Sequence, residues 1–107
     1  MASGLIGKAA LAAAVYTGVA TAAAVTTVNI RLVNRDVAAG VTVRLAVVPA
    51  GWAPGAAPAD ADYIEPIDLE VPAGGVLEET GMVLSAGETV VAWASAGSVT
   101  VRVFGFD

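Results

Sequence analysis

The side chains best equipped for chemistry are carboxylates, and they crowd together. Seven of the ten acids fall within residues 60–79: Asp60, Asp62, Glu65, Asp68, Glu70, Glu78 and Glu79. Asp60 and Asp62, two positions apart, could offer oxygens to calcium. Glu65 and Asp68 could imitate the acid/base pair of glycoside hydrolysis. Neither spacing is specific: no calcium-loop consensus surrounds these residues, and an acidic edge facing water accounts for the cluster. The chain holds no Cys and no His. Thiolate and imidazole chemistry, and the ligands most zinc sites use, are therefore absent. Ser3, Ser85, Ser95 and Ser98 sit beside Gly or Ala in turn-like contexts, with no His to activate them. Pro72-Ala73-Gly74-Gly75 lacks the lysine and the following helix of a phosphate loop, and reads as a turn. The expectation is no catalytic residue, no metal and no cofactor: a structural or binding module, not an enzyme.

The candidates for binding are cations and large apolar groups. Arg31, Arg44 and Arg102 fall on the polar positions of three alternating segments. As a set they suit anchoring to acids on a partner. Singly, each is also what a solvent-facing strand uses against edge aggregation. Trp93, within Val90-Val91-Ala92-Trp93-Ala94, reads as core or as a subunit contact. Trp52 lies in a long Pro/Gly-rich connection, residues 49–62, where it either tucks over a core edge or anchors an interface. Residues 1–10 read as a flexible arm in which Leu5, Ile6 and Lys8 could insert along a neighbour's surface.

The elements that must position these groups have a period of two. Val28, Ile30 and Leu32 share one face, with Asn29 and Arg31 opposite; Val41, Val43, Leu45 and Val47 alternate with Thr42, Arg44 and Ala46; Val99, Val101 and Val103 alternate with Thr100 and Arg102. Such alternation marks strands with one buried and one wetter face. Turn signals at Asn34-Arg35-Asp36, Pro72–Gly75, Ser85–Glu88 and Ala96-Gly97-Ser98 recur about every ten residues. The pattern predicts an all-β, single-domain β-sandwich of jelly-roll type with seven or eight short antiparallel strands over residues 11–107.

Composition bounds the partners. Charged residues make up only 14% of the chain and hydrophobic ones 57%. So little charge favours burial of surface against other copies or a partner, and a trimer is expected. The net charge is −5, and it is uneven: residues 1–59 carry four cations against one acid, residues 60–107 one cation against nine acids. An acidic chain with no basic run argues against nucleic acid. Lys8 followed by an Ala-rich stretch looks like a signal peptide, but Val15–Thr21 reads better as a strand, and the stretch is too short and interrupted to span a membrane.

Five pieces together carry a resemblance: Val28-Asn29-Ile30-Arg31-Leu32-Val33-Asn34-Arg35, Val41-Thr42-Val43-Arg44-Leu45-Ala46, Asp62-Tyr63-Ile64-Glu65, Pro72 through Gly81, and Val99 through Phe106. In this order, and opening on Met-Ala-Ser-Gly-Leu, the whole chain resembles small virion proteins of tailed bacteriophages. Ala20-Thr21-Ala22-Ala23-Ala24 departs from the turn such proteins place between their first strands. The resemblance implies a virion component without enzymatic activity; within that class the capsid surface is the expected location. The cement, or decoration, proteins it points to are compact β modules, often trimeric, that sit on the major capsid protein or another virion protein. The other readings are a tail, neck or baseplate accessory protein and a receptor- or carbohydrate-binding module.

Overall fold

The computed structural model describes residues 4–106. It contains eight strands: β1 (Gly4–Ala10), β2 (Thr17–Thr21), β3 (Thr26–Asn34), β4 (Val41–Val48), β5 (Leu69–Val71), β6 (Val76–Leu84), β7 (Thr89–Ala94) and β8 (Val99–Phe106). They form two four-stranded antiparallel sheets, in the orders β1-β8-β3-β6 and β2-β7-β4-β5. First pairs with last, second with seventh, third with sixth and fourth with fifth. This nesting, alternating between two facing sheets, is the jelly roll the alternation predicted.

The inward residues are those the period-two pattern named. Val28, Ile30 and Leu32 of β3 meet Val99, Val101 and Val103 of β8 on one inner face, and Val43, Leu45, Val90, Ala92 and Ala94 line the other; all are almost fully buried. Each such Val, Leu or Ile contributes roughly 1.5–3 kcal/mol by leaving water. The pattern also fixes register, since a slip by one residue would turn Arg31 and Arg102 into the core.

Residues 4–10 correct the expectation of a flexible arm. They form β1, an outer strand paired with β8 from Gly4↔Gly105 to Ala10↔Thr100, with a bulge between Leu5 and Gly7. The reason is steric as well as cohesive. Gly7 faces inward against β2, where a Cβ would overlap the Val19 carbonyl oxygen and lie 2.6 Å from Ala20 Cβ. Only glycine lets the two sheets close this tightly at that edge. Residues 1–3 of the expected arm lie outside the described residues.

Buried Asn34 ties three loops at one end of the sandwich. Its amide nitrogen donates to the carbonyls of Ala39 (2.9 Å) and Pro72 (3.2 Å), and its oxygen accepts from Asp36 N–H (3.1 Å) and Ser98 Oγ (2.9 Å). The neighbouring Pro72–Gly75 turn is closed by a bond from Gly75 N–H to the Pro72 carbonyl, and it needs Gly74 at φ 65°.

Candidate functional site

The expected binding residues divide between the two outer faces of the sandwich. Register brings Lys8, Arg102 and Arg31 side by side on β1, β8 and β3, and Glu78 of β6 completes the row. Directly opposed residues of an antiparallel pair share a face. Because Ile30, Leu32, Val101 and Val103 point inward, these four side chains point outward. Arg31 Nη1 lies 3.0 Å from Glu78 Oε2. Lys8 and Arg102 make no ion pair among the described residues; the Arg102 guanidinium instead lies 5.7 Å from the Phe104 ring centre.

Apolar rows flank the charged one. Leu5 sits opposite Phe104 on one side, with Phe106, Thr27 and Val83 in the next row; Thr100, Val33 and Val76 lie on the other side. Leu5, Val76, Val83 and Phe106 are all exposed. Three cations against one carboxylate give this face a charge of +2, and the rest of the sequence therefore carries −7. Ile6 does not join the face. The bulge turns it toward Gly105 and Thr26, where it lines a cavity of about 240 Å³ with Thr21 and Ala22–Ala24.

Arg44 and Trp52 belong to the opposite face, on β2-β7-β4-β5. Arg44 stands opposite Trp93, its guanidinium 4.0 Å from that ring's centre. Arg44 Nε donates to Asp68 Oδ1 (2.9 Å) and Nη1 to the Tyr16 hydroxyl (2.7 Å), which lies 2.9 Å from the Tyr63 hydroxyl. These bonds to Asp68 and Tyr16 push the Arg44 pKa still further up, so it is a permanent cation. Burial, then the bond to Tyr16, pushes the Tyr63 phenol up to about 12. Asp68 itself adopts φ 61°, a left-handed conformation that Asp tolerates better than most residues. The network fastens the long 49–68 connection to the sheet, where Tyr63 bridges Ala46 and Ile64 N–H donates to the Leu45 carbonyl. Trp52 packs over the same face. Its ring would stand 3.3 Å from a Cβ at Gly18, and its indole N–H donates to the Ala56 carbonyl at 2.9 Å.

The two faces therefore have different chemistry. On β2-β7-β4-β5 the cation is paired within the chain and lies over the Trp93 ring. On β1-β8-β3-β6 the cations are presented outward among apolar side chains. The acidic residues of 60–79 disperse: Asp68 pairs with Arg44, Glu78 with Arg31, and Asp60 and Asp62 lie in a short 3-10 turn. No group of three carboxylates that could hold a metal ion converges among the described residues. Sequence reasoning named Arg44, and Asp68 as part of the acidic cluster, but not the grouping of Tyr16, Tyr63 and Asp68 around Arg44, because they come from separate segments with no spacing to link them. No protein family, curated protein or solved structure matches this chain.

Proposed function

We propose that this chain is a non-enzymatic structural protein of a bacteriophage virion, a cement protein that docks on the major capsid protein shell and stabilises it. The observation that supports this best is the Lys8–Arg102–Arg31 row on an open, partly apolar sheet face. Like charges directly opposed across strands weaken a sheet. An acidic docking surface turns that repulsion into attraction, while the surrounding Leu5, Phe106, Val76 and Val83 supply apolar area. The likeness of the strand-and-turn order to small virion proteins supports a virion partner, and within that class the shell is the partner proposed. Sparse charge over the rest of the surface supports self-association as a homotrimer.

The test is deletion of the gene from the phage that carries it, followed by add-back of purified protein to the purified particles. The chain should return to the shell in fixed ratio to the major capsid protein, restore heat resistance, and dissociate as salt rises. Particles that never carried the chain, or label found only at the tail, would overturn the shell reading.

A further inference from the structure

We propose that β1 of one copy adds, antiparallel, to β6 of the next, in the single register that places Lys8 opposite Glu78 and Ala10 opposite Val76. The inference rests on the self-association proposed above and names the surface that carries it.

Three features of the two sheet edges agree; the first two follow from one sheet geometry, and the third selects among the registers that geometry allows. The first is hydrogen-bond phase. Leu11 N–H donates to the Val99 carbonyl, and Asn34 N–H to the Gly75 carbonyl. Backbone groups alternate sides along an antiparallel strand. Ala9 and Gly7 therefore bond inward to β8, whereas Lys8 and Ala10 aim their N–H and C=O groups off the edge. By the same count Leu77 and Glu79 bond to β3, and Val76 and Glu78 aim theirs outward. Lys8 with Glu78 and Ala10 with Val76 then form two successive hydrogen-bonded pairs of one register.

The second is facing. Lys8, Ala10, Val76 and Glu78 all lie on the outer face, as directly opposed residues must. On the inner side the register sets Ala9 beside Leu77, two half-buried residues that pack against the core from opposite edges. Strand direction also fits: three antiparallel steps separate β1 from β6, so a neighbour displaced sideways presents β1 antiparallel to β6. Both strands stay regular over these four positions and bulge beyond them, β1 between Leu5 and Gly7, β6 opposite Asn29.

The third is charge. Edge charges ordinarily prevent sheets from joining. Here the outward charge is positive on β1 and negative on β6. Contacts of β1 with β1, or β6 with β6, are repelled, and only the head-to-tail contact is attractive. A head-to-tail contact repeats around a ring if the rotation closes, and it would run the Lys8–Arg102–Arg31–Glu78 row on into the next copy.

The native absence of Cys makes cross-linking a clean test. Within one copy the two positions are about 14 Å apart, three inter-strand spacings, too far for a disulfide. Across the proposed contact their Cα atoms would be about 5.5 Å apart. Oxidation of Lys8→Cys/Glu78→Cys, and of Ala10→Cys/Val76→Cys, should give a covalent ladder ending at three copies. The out-of-register pair Ala10→Cys/Glu78→Cys should form few cross-links. Lys8→Glu should weaken self-association about tenfold in sedimentation, and adding Glu78→Lys should restore it. A wild-type protein that is monomeric at every concentration would overturn self-association itself. Self-association that persists without in-register cross-links, or ignores both charge reversals, would overturn the edge pairing alone.

Discussion

Replacing Arg102 by Glu should make the isolated domain more stable, although Arg102 lies at the centre of the proposed docking face. Arg102 stands directly opposite Lys8 on one side and Arg31 on the other. Reversing its charge converts two repulsive cross-strand pairs into attractive ones. Such pairs contribute roughly 0.2–1 kcal/mol each. The substitution forfeits the contact with the Phe104 ring at 5.7 Å, which at an exposed site is worth about 0.5 kcal/mol. The net expectation is a gain of about 1 kcal/mol at low salt, or about 4–8 °C in Tm for a domain near this size. Arg102→Gln should fall between the two. Urea unfolding at low and high salt measures the effect, because these exposed charges are screened over about 10 Å at 0.1 M salt. Arg102→Glu that unfolds at lower urea than wild type in low salt would refute the reasoning. So would a gain that high salt leaves untouched.

Three further outcomes follow from the core and the loop network. Asn34→Ala removes four hydrogen bonds from a fully buried site and should cost about 3–5 kcal/mol in urea unfolding, at roughly 1 kcal/mol per bond plus the stranded partners. Gly7→Ala forces a methyl group against the Val19 carbonyl and Ala20 and should cost roughly 1–3 kcal/mol by the same assay, with cross-peaks of β1 and β2 shifting first in nuclear magnetic resonance spectra. Tyr63 is held protonated in the fold, with its pKa pushed up to about 12 from 10. A pKa raised by folding gives stability that is full below pH 10 and lost as pH rises toward 12. Absorbance at 295 nm should show one tyrosine ionising near pH 12, and Tyr63→Phe should remove both that step and its share of the alkaline loss.

The jelly roll was legible where burial is one-sided. At Val28, Ile30 and Leu32 of β3, Val41, Val43 and Leu45 of β4, and Val99, Val101 and Val103 of β8, every second residue is Val, Ile or Leu, and the facing sheet buries those positions. β1 was not legible, because Gly4-Leu5-Ile6-Gly7-Lys8-Ala9-Ala10 has no alternation. Its strand character comes from pairing with β8 and from the close approach that Gly7 permits. The candidate site was legible as residue types and not as neighbours. Arg31 and Arg102 were visible as polar-face cations on separate strands, but their adjacency, with Lys8 beyond, depends on inter-strand register that no local pattern encodes. Arg44 read as an anchor for a partner. Its fork is instead taken up by Asp68 and Tyr16, supplied by a loop and by the approach to β2.

The central claim is that the Lys8–Arg102–Arg31 row docks on an acidic shell surface, and Arg102→Glu tests it most directly. Particles lacking the chain are mixed with wild-type or Arg102→Glu protein at equal concentration, and bound copies per shell protein are counted after gradient purification. Arg102→Glu, at least as stable as wild type in solution, should lose most of its occupancy and no longer raise the temperature at which particles rupture. Occupancy and protection equal to wild type would contradict it.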